Sequence, residues 1–204
     1  MPVVFIASLI VVGGALTCRP AWYQPVSIDY NLLESDKHTH ARIENDISAA
    51  LNSSEPIELE FDESSVNRWI AARNELWPGR APSLDPFQQP QIRFLDGNRV
   101  RLGALVEQAG VKVVLSATFR VAAHGDAVAV TWDSVHAGAL PTPGRLIEEA
   151  AEQLSEGLRL GDGALEGDTL TLPNEWTWPN GKRRFHVKHI TIGDGILRVG
   201  LEPL

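Results

Sequence analysis

Cysteine is almost missing from this chain: its 204 residues contain one, Cys18, so neither an internal disulfide nor a cysteine-built metal site can form. Basic charge is scarce as well. Lys and Arg number 18 against 26 Asp and Glu, for a net charge of -8 and a pI near 5.2. That balance argues against the concentrated positive surface that binds phosphate backbones, so nucleic acid is not an expected partner. Catalytic signatures are lacking too. There is no Gly-x-Ser-x-Gly elbow and no His-Glu-x-x-His helix, and Gly161-Asp162-Gly163 with Gly167 is not followed by the Lys-Ser/Thr of a phosphate loop. These absences predict a non-catalytic protein without a metal or cofactor.

What is present begins with an apolar run. Residues 3–16 carry no charge, and Thr17 and Cys18 prolong the run to Arg19. A helix over residues 3–18 would be about 24 Å long, short of a hydrocarbon core of roughly 30 Å. Extending it over residues 1–23 gives roughly 34 Å and places Trp22 and Tyr23 at headgroup level, where aromatic rings are favoured. The segment therefore reads as a retained transmembrane anchor, residues 1–23, with the remainder on the extracytoplasmic side of an envelope membrane. A cleaved signal peptide and a lipoprotein acylated at Cys18 are the alternatives. No Lys or Arg precedes the run, so the flanking charges specify orientation weakly. Apolar residues at 44 % and charged residues at 22 % are ordinary globular usage and predict one domain over residues 24–204.

Within that domain, residues 19–30 read as a linker. Ile43, Ile47, Ala50 and Leu51 recur at helical spacing within residues 33–51. Residues 57–61 alternate as a strand, with Ile57, Leu59 and Phe61 on one face. Asp62 is placed to cap a second helix carrying Val66, Trp69, Ile70 and Leu76. A proline-rich loop follows over residues 80–90. Residues 91–137 then read as successive antiparallel strands joined by polar turns at Asp96-Gly97-Asn98 and His124-Gly125-Asp126. On the strand over residues 111–121 the odd positions are apolar and the even ones largely polar, predicting a core face and a wetter face. A third helix is expected over residues 143–158, and further strands up to residue 201. The predicted architecture is α+β: an N-terminal membrane helix, then a twisted antiparallel sheet with about three helices packed on its apolar face.

Six histidines merit a test as metal ligands. His38 and His40 diverge around a helix, and His186 and His189, three apart on a strand, are expected on opposite faces. A basic hairpin built from Lys182, Arg183, Arg184 and Lys188 beside Trp176 and Trp178 is the candidate membrane-surface contact, since cations next to aromatics suit anionic headgroups.

Three segments carry a family likeness: Phe61-Asp62-Glu63-Ser64-Ser65-Val66-Asn67-Arg68-Trp69, the hairpin over residues 94–103, and Gly138-Ala139-Leu140-Pro141-Thr142-Pro143. Together they resemble small anchored bacterial envelope proteins of uncharacterised function related to YpmS-type and tubular lipid-binding-like domains. The resemblance spans residues 57–158. It implies a curved sheet wrapped against helices around an apolar groove for a lipid or acyl chain, walled by residues 111–121 and 143–158. The expected function is a membrane-tethered domain that binds lipid or another apolar ligand. The alternative is an anchored scaffold that recognises another envelope protein through a sheet edge or the loop at residues 80–90.

Overall fold

The computed structural model describes residues 14–78, 87–108, 110–142, 163–177 and 183–204. The described residues are mostly β, 50 % strand and 24 % helix, in two sheets, which corrects the expectation of an α+β fold with helices layered on a single sheet. Its elements are α1 (Leu33–Ser53), β1 (Ile57–Asp62), α2 (Glu63–Ala71), α3 (Arg73–Leu76), β2 (Gln88–Leu95), β3 (Arg99–Gln108), β4 (Val111–His124) and β5 (Ala127–Ala137). There follow β6 (Leu140–Pro141), β7 (Ala164–Glu166), β8 (Thr169–Pro173), β9 (Trp176–Thr177), β10 (Arg184–Gly193) and β11 (Ile196–Pro203). The expected third helix, residues 143–158, and the loop at residues 80–86 lie outside the described residues, as do residues 1–13.

Among the described residues no helix is long and apolar enough to cross a membrane. Residues 14–17 are helical and are followed by non-helical chain. The expected spanning helix drew its length from Trp22 and Tyr23, and neither is helical: Pro20 accepts a hydrogen bond from the Tyr23 N–H in a turn. Tyr23 is 2 % exposed, inside the domain. Pro20 and the burial of Tyr23 keep helix from continuing through Trp22 and Tyr23, so neither ring sits on a membrane helix.

The smaller sheet has the strand order β1-β11-β10-β9, and the larger runs β2-β3-β4-β5-β8-β7, with β6 paired to β5. Every pairing is antiparallel. In the smaller sheet a bulge decides which residues share a face. Val187 is opposite Leu201, but His189 rather than Lys188 is opposite Gly200. The extra residue brings the odd-numbered Phe185 and Val187 into phase with the even-numbered Ile190 and Ile192, so all four face the same way. One end of that apolar face packs on α1, where Ile47, Leu51 and Leu201 form a buried cluster with Ile57, Leu59 and Val199 against it. The other end meets the larger sheet at Phe94, Val100 and Ile192, with Val66, Phe119 and Leu197 packed around them. Each fully buried aliphatic or Phe side chain contributes about 1.5–3 kcal/mol.

Three asparagines join the parts by standing in for strand backbone. Asn67 on α2 donates to the Ile92 carbonyl at 2.9 Å and accepts the Ile92 N–H at 2.8 Å. Asn98, in the β2–β3 turn, accepts the Ile192 N–H at 2.8 Å and donates to the Ile190 carbonyl at 3.3 Å. Asn174 does the same to both backbone groups of Val187, at 2.8 and 2.9 Å. A carboxamide carries one donor side and one acceptor side, so it satisfies a strand edge as a neighbouring peptide would.

Candidate functional site

The middle of the larger sheet reverses the expected assignment of faces. On β4 the polar-face positions Val114, Ser116 and Thr118 are buried at 4, 8 and 4 % exposure. The apolar positions alternating with them, Val113, Leu115, Ala117 and Phe119, are only half-buried. Register extends that apolar face across three strands: Leu102, Ala117 and Val135 form one row, and Ala104, Leu115 and Ala137 the next. Val106 lies opposite Val113. At 42 and 46 % exposure, Leu102 and Val111 are among the most open large apolar side chains described. Among the described residues, the smaller sheet meets this face around Ile92, Phe94, Val100, Phe119 and Val121.

The polar face is buried because the N-terminal segment lies across it as a strap. A Cβ on Gly103 would collide with the Trp22 ring, and one on Gly138 with the carbonyls of Ala15 and Leu16. Gly138 also has φ +61°, a conformation that favours glycine. The Arg101 guanidinium lies 5.4 Å from the Trp22 ring centroid, and its Nε donates to the Thr118 hydroxyl at 3.0 Å. The Tyr23 hydroxyl donates to the Gln89 carbonyl at 2.7 Å, and Gln91 accepts the Gln24 N–H. Burial pushes the Tyr23 phenol above its ordinary pKa. Trp22 and Tyr23 thus act as clamps on the sheet.

A cleft of about 770 Å³ opens beside the start of α2, lined in part by Trp22, Asp62, Glu63, Arg68, Arg93 and Asp194. Its charges have structural partners. Glu63 pairs with Arg93 at 3.0 Å and accepts the Phe94 N–H at 2.8 Å. Arg68 reaches Asp36 at 3.2 Å, and Asp36 is buried and also accepts the Trp69 indole N–H. Asp62 caps α2 as its sequence position predicts, accepting from the Ser65 N–H at 2.9 Å. Its partial burial alone would raise its pKa. Hydrogen bonds from Ser64 and Ser65 and the nearby Arg68 charge outweigh that and lower it to about 2.

Of the basic hairpin, Lys182 and Trp178 lie outside the described residues. Arg183 is exposed. Arg184 ion-pairs with Glu175, Lys188 is 3.8 Å from Glu202, and the Trp176 indole donates to Asn174. The Lys188 bulge changes the expectation for the histidines: His186 and His189 fall opposite Glu202 and Gly200, two apart on β11, and so share the exposed face. His189 pairs with Glu58 at 2.9 Å. His40 instead packs edge-on against Trp69 and Trp77. Among the described residues no group of three or more His, Cys, Asp or Glu is placed to hold a metal ion.

No protein-family model matches the chain, and neither the curated proteins nor the solved structures contain a match. The functional residues that sequence reasoning missed are Gly103 and Gly138, whose lack of a side chain admits the strap. An isolated glycine within a strand pattern is the signal that could have marked Gly103.

Proposed function

We propose that this is a non-catalytic domain that carries an apolar ligand, an acyl chain or similar hydrocarbon, on the apolar face of the larger sheet. One observation carries the reading: in mid-sheet the protein buries its polar face and leaves Leu102, Val111, Leu115 and Ala117 open or half-open. Hydrophobic burial favours the reverse, so this face fits an occupant other than solvent. Around Leu102, Leu115 and Ala117 the surface is hydrocarbon, which suits binding an apolar chain. A bilayer is the natural source of such a ligand, and the same class is what the resemblance of residues 57–158 to tubular lipid-binding-like domains implies.

The test is titration of the full chain with cis-parinaric acid, a fluorescent polyene fatty acid. Saturable binding is expected, weakened at least about tenfold by Leu115→Glu, because the carboxylate would have to be desolvated beneath the chain. Arg99→Ala, on the opposite face, serves as the control and leaves binding unchanged. Absence of saturable binding, or equal affinity in L115E, overturns the proposal.

A further inference from the structure

The edges of the two sheets are treated unequally. Edge strand β2 has backbone groups engaged from outside by Asn67, Glu63 and Tyr23. The flank of β10 beyond its short pairing with β9 is engaged by Asn174 and Asn98. The remaining edge strands among the described residues, β6, β7 and β9, are two, three and two residues long, too short to template much pairing. β1 is different. It has six residues, and among the described residues it pairs only with β11 and no side chain engages the backbone on its outer flank.

The geometry points to β1 as a site where a partner protein adds a strand, extending the smaller sheet from four strands to five. The partner segment is extended and alternates apolar with basic residues. The apolar requirement follows from Ile57, Leu59 and Phe61, which line the core face of β1 and are still only half-buried, so an added strand would complete their cover. The basic requirement comes from the other face, where Glu58, Glu60 and Asp62 are exposed. His189 and Arg198 contact Glu58 and Glu60 from the β11 side at 2.9 and 2.8 Å, leaving the outward flank of each carboxylate to accept from a Lys or Arg on the incoming strand. A second copy of this chain does not fit. Pairing β1 with itself in antiparallel register sets these acids opposite one another, and like charges directly opposite are destabilising.

A disulfide-cyclised β-hairpin peptide with alternating Lys and Val on its docking strand is a suitable probe, since cyclisation removes much of the ordering cost. With the full chain it should bind saturably and slow hydrogen exchange at the amides of residues 57–61. Replacing Lys by Glu in the peptide, or Glu58 and Glu60 together by Lys, should weaken binding about tenfold. The milder E58Q/E60Q pair should fall between. A peptide N-methylated along its docking strand keeps its charge and cannot pair, so it should not bind. Equal binding of the N-methylated peptide, or protection mapping away from β1, overturns the inference. The Glu58 and Glu60 variants should leave cis-parinaric acid binding unchanged, which separates failure here from failure of the carrier proposal.

Discussion

The two sheets use alternation in opposite ways. In the smaller one Phe185, Val187, Ile190 and Ile192 of β10 and Leu197, Val199 and Leu201 of β11 turn to one face, and that face is the core. In the middle of the larger one the face rich in Ser, Thr and Arg is buried beneath residues 15–24, while the aliphatic face is only half covered. Alternation therefore reports that a strand has two unlike faces. Which face the protein closes depends on what lies across it, and here a strap decides.

The strongest way to break the comparison is to delete Lys188. Without the bulge residue, Phe185 and Val187 fall out of phase with Ile190 and Ile192. Exposing two or more such side chains at about 1.5–3 kcal/mol each approaches the whole stability of an ordinary domain, so thermal melts should show loss of cooperative folding. Next comes a matched pair. Phe94→Ala, at a 4 % exposed site, should cost about 3–5 kcal/mol in urea denaturation, whereas Leu102→Ala, at 42 % exposure, should cost less than about 1 kcal/mol. Similar losses at both sites would mean that the apolar face of the larger sheet is core after all. Gly103→Val should cost about 1–3 kcal/mol by overpacking and shift the Trp22 fluorescence as the strap lifts. A mutant with unchanged emission would remove the strap from the account.

The smallest effect concerns Asp62. Its folded pKa of about 2 lies below its ordinary 3.8. The stabilisation is therefore complete above about pH 4 and is lost as pH falls through about 2. Asp62→Asn keeps a capping oxygen and should flatten that acid limb while changing stability at pH 7 only slightly. An unchanged acid limb would detach Asp62 from the acid sensitivity.

Much of the local structure was legible in the sequence. The helix containing Ile43 and Ile47, the alternation at residues 57–61, the cap at Asp62 and the turns at Gly97 and Gly125 are nearest-neighbour features, and each carries its own residue signal. The division into two sheets was not, because it rests on the Lys188 bulge and on Asn98 reaching Ile190 and Ile192, contacts between distant segments. The reading of residues 1–23 as one spanning helix failed for a related reason: Trp22 and Tyr23 look alike at a lipid interface and against a sheet, and only the room above Gly103 tells them apart. For the candidate site, composition showed the apolar residues but not that they would be left open. Two of the basic hairpin's three described cations were likewise offset by acids, Arg184 by Glu175 and Lys188 by Glu202.

The pairing of β1 with β11 has a consequence for synthesis. Ile57 lies opposite Leu201, so this strand has no neighbour on the ribosome until β11, far along the sequence, has been translated. Contacts this far apart in sequence close slowly, and the unpaired edge is open to aggregation in the interval. The smaller sheet and the Leu201 contact with its α1 cover therefore assemble only once β11 has been made. A nascent chain truncated before β11 would leave Leu59 and Phe61 without their strand partner and make the incomplete protein a chaperone client.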